Sequence, residues 1–455
     1  MLHADDQSLP ASSLQTAQET LAIASKWSKE SEQEYHVAPE KTVVIFLSGH
    51  WQQDALKRNP LTIDGKMLHE AEKHKWLGAV WAKDLDFSEH LSQRIKSVWG
   101  AVKPTLALAR IGGYPVHILA EMAAAKCRGA LFVGFVLLLM VPDAEQRINQ
   151  QQADIARALL QGHPYAKKEV VLGELEWRPW WIEIVRQCLV KDASAHVGLG
   201  SPWLKRLYRL PTGTLQGPQW NTMLQQHAHR LDMVTFMEFL NGHAPNPEAF
   251  RAYRKYIDEC ATGVWEQQWR VECAKVLEPY PYCTVADRPK SIVKEMAAGG
   301  TNWKTSVKAT SWIRARAGLL LLGRSTSGKP TSKSTASCRS CGQSHGGTLH
   351  HLVTCPAHQD LHNNFDACLA KEQDHMLRDP RQRAWFIFNS SLDRIELRVS
   401  YVHEIVEHLE KKAVMLSVLV PTRLFWGTAN TALPAAKHRP SPTRVTNCAQ
   451  QQQLG

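Results

Sequence analysis

Four residues in the last third of this chain constrain its fold more than any longer stretch does. Cys338-Arg339-Ser340-Cys341 sets two thiols on one tight turn, and Cys341 is followed by eight residues, His350, four residues and Cys355. Two thiolates joined by a His and a Cys returning from a short loop can close a tetrahedron around Zn²⁺, with Gly342, Gly346 and Gly347 easing the turns. The spacing predicts a CCHC zinc site of Cys338, Cys341, His350 and Cys355. His350 is preferred because its H-x4-C return is that of zinc knuckles. His351, with an H-x3-C return, and His345, nearer Cys341, are the rival ligands.

The charge points to the same segment. The chain carries a net charge of +11, and between Met296 and Gln359 there are eight basic residues and no Asp or Glu. They are Lys304, Lys308, Arg314, Arg316, Arg324, Lys329, Lys333 and Arg339. A stretch of one sign repels itself unless an anion neutralises it, and nucleic acid is the usual partner. These eight residues, with Trp312 as a base-stacking aromatic, are the predicted contacts to RNA or DNA. The other reading of Arg324 to Ser337 is a solvated linker.

Composition sets the frame around these signals. The chain is 455 residues long, 44% hydrophobic and 21% charged, as expected of a globular protein of several parts. The sixteen tryptophans, among them Trp180 and Trp181, are expected to anchor cores. The apolar run from Ala130 to Val141 is about two-thirds of the shortest membrane span and ends at Pro142, so it reads as a buried helix or strand. No basic n-region and apolar core open the chain. Ten cysteines at scattered spacing, with one tight pair, predict reduced thiols and an intracellular setting, nucleus or cytoplasm. Nothing in the sequence points to a small-molecule substrate.

At the start, His3-Ala4-Asp5-Asp6 is followed by a helix signal at Ser12-Ser13-Leu14-Gln15. Apolar positions Leu14, Ala17, Leu21 and Ala24 then lead to Trp27-Ser28, and the strand-like Lys41-Thr42-Val43-Val44-Ile45-Phe46 comes next. Farther on come Lys75-Trp76-Leu77-Gly78-Ala79-Val80, then Ile155 to Leu160 and Leu172 to Trp177. Trp312-Ile313-Arg314-Ala315-Arg316-Ala317-Gly318 precedes the cluster, and His350 to Pro356 closes it.

In this order the chain resembles the C-terminal part of non-LTR (LINE-type) retrotransposon reverse transcriptases, RNA-directed DNA polymerases. The resemblance implies a Mg²⁺ site with Asp5 and Asp6 as part of a two-metal cage, and it puts Lys41 near the incoming triphosphate. His3 departs from the family's Tyr or Phe. The family's further carboxylate and its fingers lie upstream of the Asp-Asp box, so residues 1–455 are expected to bind nucleic acid without polymerising. A zinc-dependent RNA-binding or adaptor protein that stands alone is the other class. A reading frame continuing upstream into fingers would decide between them.

The expected fold is mainly α with a small α+β portion. A partial palm spans 1–90, a helical thumb and connector 91–190, an unassigned helical region 191–302, the basic segment with its zinc cluster 303–370, C-terminal helices 371–427 and a disordered tail 428–455. Two lookalikes are rejected. Gly323 to Lys329 spells a phosphate loop, but Pro330 follows it, with neither hydroxyl nor N–H. His403 and His408 are five apart, whereas H-E-x-x-H sets its histidines four apart on one helix face. They are expected on a solvated face.

Overall fold

In the computed structural model the described residues are 2–3, 6–9, 11, 13–32, 35, 41–46, 58–76, 78–162, 164, 166–199, 218–275, 286, 289, 291–317, 323–324, 330–331, 337–338, 340–344, 349–369, 379–389 and 394–417. The protein is mainly helical with small strands, as the sequence predicts. Met1–Leu409 forms one compact unit; past it, the described residues are the last turns of one helix. No described helix is long and apolar enough to cross a membrane. The predicted tail, 428–455, lies outside the described residues.

The chain opens with a hairpin of β1 (Leu2–His3) and β2 (Asp6–Gln7), in which His3 pairs with Asp6. Helix α1 (Leu14–Glu30) starts where the sequence places it, because the Ser13 side chain accepts a hydrogen bond from the Thr16 N–H. Strand β3 (Val43–Val44) comes next, followed by β4 (Thr62–Ile63), β5 (Lys66–Met67) and β6 (His69–Glu70). Strand β6 pairs in parallel with β3. Leu21 of α1 packs on Leu61, Ile63 and Leu68 in a small core of its own. A second hairpin joins β7 (Lys73–Trp76) to β8 (Ala79–Ala82), and Gly78, at φ +79, makes its turn.

From there the chain is helical. An antiparallel pair, α2 (Ser88–Ile111) and α3 (Val116–Leu131), leads to a 3₁₀ turn at Phe135–Met140. That turn and the end of α3 are the expected buried apolar run, with Leu131, Phe135, Leu138 and Leu139 in the core. Then come α4 (Ala144–Leu159), α5 (Lys168–Glu174), α6 (Trp180–Val197), α7 (Pro218–Arg230) and α8 (Phe236–Leu240). Helix α9 (Pro247–Cys273) crosses α5 and α6. Asn246 caps it, Pro247 fills its first turn, and Phe250, Tyr253, Ile257, Ala261, Trp265, Trp269 and Cys273 bury one stripe at helical spacing. Trp180 and Trp181 are buried, as anchors should be.

Helices α10 (Ile292–Ala298) and α11 (Trp303–Arg316) return to pack on α3. The small strands β9 (Gly323–Arg324), β10 (Pro330–Thr331) and β11 (Ser337–Cys338) form one antiparallel sheet with β9 in the middle. Pro330 thus begins a strand, where a phosphate loop would begin a helix. Last come the single turn α12 (Leu349–Leu352), a 3₁₀ turn at Pro356–His358, then α13 (Gln359–Cys368), α14 (Pro380–Phe388) and α15 (Ile395–Ser417). One continuous core cluster takes in residues from Phe87 to Val406.

Candidate metal centre

Strand β11 and the turn after it shape the first half of the centre. The Cys338 N–H donates to the Gln343 carbonyl at 2.7 Å, and the Gly342 N–H returns to the Cys338 carbonyl at 3.0 Å. Gly342 takes φ +77, a conformation that a side chain would strain. The Ser340 N–H points at the Cys338 sulfur, at 3.3 Å. Helix α12 and the turn before Pro356 bring in the second half.

Cys338, Cys341, His351 and Cys355 present one ligand atom each, all within 4.8 Å of one another. The sulfurs of Cys338 and Cys355 are 3.8 Å apart, and Cys341 Sγ lies 3.2 Å from His351 Nε2. A zinc tetrahedron with Zn–S bonds of about 2.3 Å has a sulfur–sulfur edge of about 3.8 Å. The donor set therefore fits zinc in kind, number and spacing. Its hydrogen bond with Cys355 holds the Cys338 thiol well below the usual thiol range, and the backbone N–H groups at Ser340 and Cys341 add to this. Cys355, which keeps the shared proton, is pushed up. Zinc would replace that proton and hold both as thiolates.

Three of the four predicted ligands are thus brought together, and the fourth is corrected. The histidine among the thiols is His351, with an H-x3-C return, in place of the expected His350. Adjacent helix positions diverge by about 100°, so one histidine of the pair is selected by how α12 seats on α14. The side chain of His350, and all of His345, lie outside the described residues.

The predicted nucleic-acid residues separate into two groups. Lys304 is exposed at the start of α11, while Lys308 and Arg314 are half-buried. Trp312 and Arg316 are corrected from contact residues to core residues. The Trp312 indole is fully buried and donates to the Ile387 carbonyl at 2.9 Å. Arg316 is 1% exposed, forms an ion pair with the fully buried Glu174 at 2.7 Å, and lies over the Trp312 ring at 4.6 Å. The side chain of Arg324, and all of Lys329, Lys333 and Arg339, lie outside the described residues.

Of the predicted polymerase residues, Lys41 is exposed just before β3. Asp5 and the Asp6 side chain lie outside the described residues. His403, read as solvated, is half-buried and within hydrogen-bond distance of Ser311 at 3.1 Å. Sequence reasoning passed over His358 and His362, both buried just beyond Cys355. The signal for them was two histidines four apart following the last cysteine of a metal motif. Comparison with protein-family models, curated proteins and solved structures finds no match.

Proposed function

We propose that this protein is a zinc-stapled nucleic-acid-binding chain of the non-LTR reverse-transcriptase type, which holds RNA or DNA by its phosphates and does not polymerise by itself. One observation carries the binding reading. In the small sheet, Gly323 pairs with Cys338 and Arg324 with Ser337, so the strand of the basic segment is hydrogen-bonded to the strand that bears the first metal ligand. The β9–β10 hairpin, between which Lys329 falls, is thereby tied to the metal centre. Zinc would fix β11, and β11 would fix the backbone of β9 at Gly323–Arg324, which lowers the cost in entropy on binding.

The polymerase ancestry is supported by the order of elements: a hairpin at His3–Asp6, a helix, a strand after Lys41, then the hairpin at Lys73–Ala82. By that resemblance Asp5 and Asp6 would hold Mg²⁺ together with a further carboxylate.

The test is binding of single-stranded RNA by the zinc-loaded and the chelator-stripped chain, with primer extension in Mg²⁺ or Mn²⁺ alongside. Stripping is expected to weaken binding at least tenfold, and no extension is expected. Equal affinity without zinc would refute the staple. Extension lost in Asp5→Asn and Asp6→Asn would show a working polymerase.

A further inference from the structure

Cys355 is joined to the core through its own backbone. Its carbonyl accepts a hydrogen bond from Nε2 of His362 on α13, at 3.0 Å. A carbonyl only accepts, so Nε2 carries the ring proton and Nδ1 is left as an acceptor. The Tyr401 hydroxyl, on α15, lies 2.7 Å from Nδ1 and donates to it. Cys355, His362 and Tyr401 are all buried, so water does not compete for these bonds. Tyr401 also stacks on Phe365 of α13, with ring centroids 4.1 Å apart, which fixes the phenol against the helix that bears His362. The result is one oriented polar chain from a metal ligand to the last helix.

We propose that His362 and Tyr401 are positioning residues of the metal centre: they hold the Cys355 backbone so that its thiolate closes the tetrahedron, and bound metal in turn holds α15. This rests on reading Cys338, Cys341, His351 and Cys355 as zinc ligands. Without the hydroxyl, His362 Nδ1 loses the donor it has at 2.7 Å. The ring then loses the contact that sets its rotation, and the Cys355 carbonyl loses a fixed partner. Outer-shell partners of this kind alter metal affinity by about 10- to 100-fold. The coupling is reciprocal, so whatever α15 does for zinc, zinc does for α15.

The test uses the full chain and the zinc dissociation constant, measured by competition with a chromophoric chelator. Tyr401→Phe removes one hydroxyl and keeps the stacked ring; it is expected to weaken zinc binding about tenfold. His362→Gln should weaken it at least as much. Ser311→Ala removes a hydroxyl beside His403 on the same helix but off this path, and zinc affinity should stay within about twofold of the parent. Amide exchange across 395–409 should slow on zinc addition in the parent and respond less in Tyr401→Phe. A Tyr401→Phe chain that binds zinc as the parent does would overturn the coupling alone. The same holds if Ser311→Ala weakens zinc equally, since the effect would then be general stability. A parent chain that binds no zinc overturns the metal centre and the coupling with it.

Discussion

Trp312 and Arg316 stand four residues apart on α11, so a helix sets them on one face, and that face is in the core. Arg314 lies two positions from Arg316 and so points elsewhere, which is why one arginine of the Arg-x-Arg pair is half-buried and the other is sealed against Glu174. Their shared face was legible from that spacing, but its burial was not, since the spacing does not say which way the face points and both residues read as contacts. The partner Glu174, 142 residues earlier, was not legible, since only tertiary packing joins them. Removing one member of a buried pair strands a charge at a cost of about 3–5 kcal/mol. Arg316→Ala and Glu174→Ala should each lower the stability by that order in urea unfolding, whereas Arg316→Met with Glu174→Leu should recover most of the loss. A mild effect of Arg316→Ala would put that guanidinium back at the surface. The metal ligands were legible for a related reason: tetrahedral closure limits the spacings. The choice of histidine was not, because it depends on how α12 seats on α14. Cys338→Ser, Cys341→Ser, Cys355→Ser and His351→Ala should each release zinc, forfeiting on the order of 10 kcal/mol of local folding energy. His350→Ala should retain it, as elemental analysis would reveal.

Among elements, two histidines act as pins between segments distant in sequence. The ring of His90, at the start of α2, accepts the Val80 N–H of β8 on Nδ1 at 3.3 Å and donates from Nε2 to the Val133 carbonyl at 3.2 Å. His227 on α7 does likewise, accepting from Arg230 and donating to the Leu139 carbonyl at 3.3 Å. In each ring one nitrogen must stay unprotonated. Burial lowers both pKa values below the usual histidine range, aided by Arg94 at His90 and by Arg230 at His227. The unfolded chain therefore binds more protons than the folded one below about pH 6.5. Both pins give their full stability above that pH and lose it as the pH falls through the lowered folded values. Urea midpoints should thus be level from about pH 8 to 7 and decline below about 6.5, with the decline reduced in His90→Gln. A midpoint that rose on acidification would contradict the neutral pins. Although α9, with its cap of Asn246 and Pro247, lay in the stretch that the sequence left unassigned, α1 was legible locally, from Ser13. The pins were not, since each joins a ring to a backbone group on a separate element, as His227 is joined to Leu139.

For the molecule as a whole, the question is which part of the +11 charge the fold leaves at the surface. The acid-free segment from Met296 to Gln359 was legible as a charge count, but the fold divides it. Arg316 is neutralised inside by Glu174, and Arg314 is half-buried. Lys304 is exposed, and Arg324 lies on the strand paired to the metal-bearing one. If phosphate neutralisation drives binding, log affinity for single-stranded RNA falls with log salt by about 0.7 per phosphate contacted. Each contacting cation removed should reduce the slope by nearly that amount, and each internal one should leave it unchanged. Lys304→Ala and Arg324→Ala are therefore expected to flatten a salt series measured by fluorescence anisotropy, and their combination should do so additively. Arg316→Met paired with Glu174→Leu keeps the core filled and the net charge unaltered, and should leave the slope as in the parent. The two outcomes separate a phosphate-binding surface from a merely basic chain. Equal flattening by the internal and external changes would mean that the fold, not the contact, sets the affinity. No flattening by Lys304→Ala and Arg324→Ala together would remove these two positions from the interface.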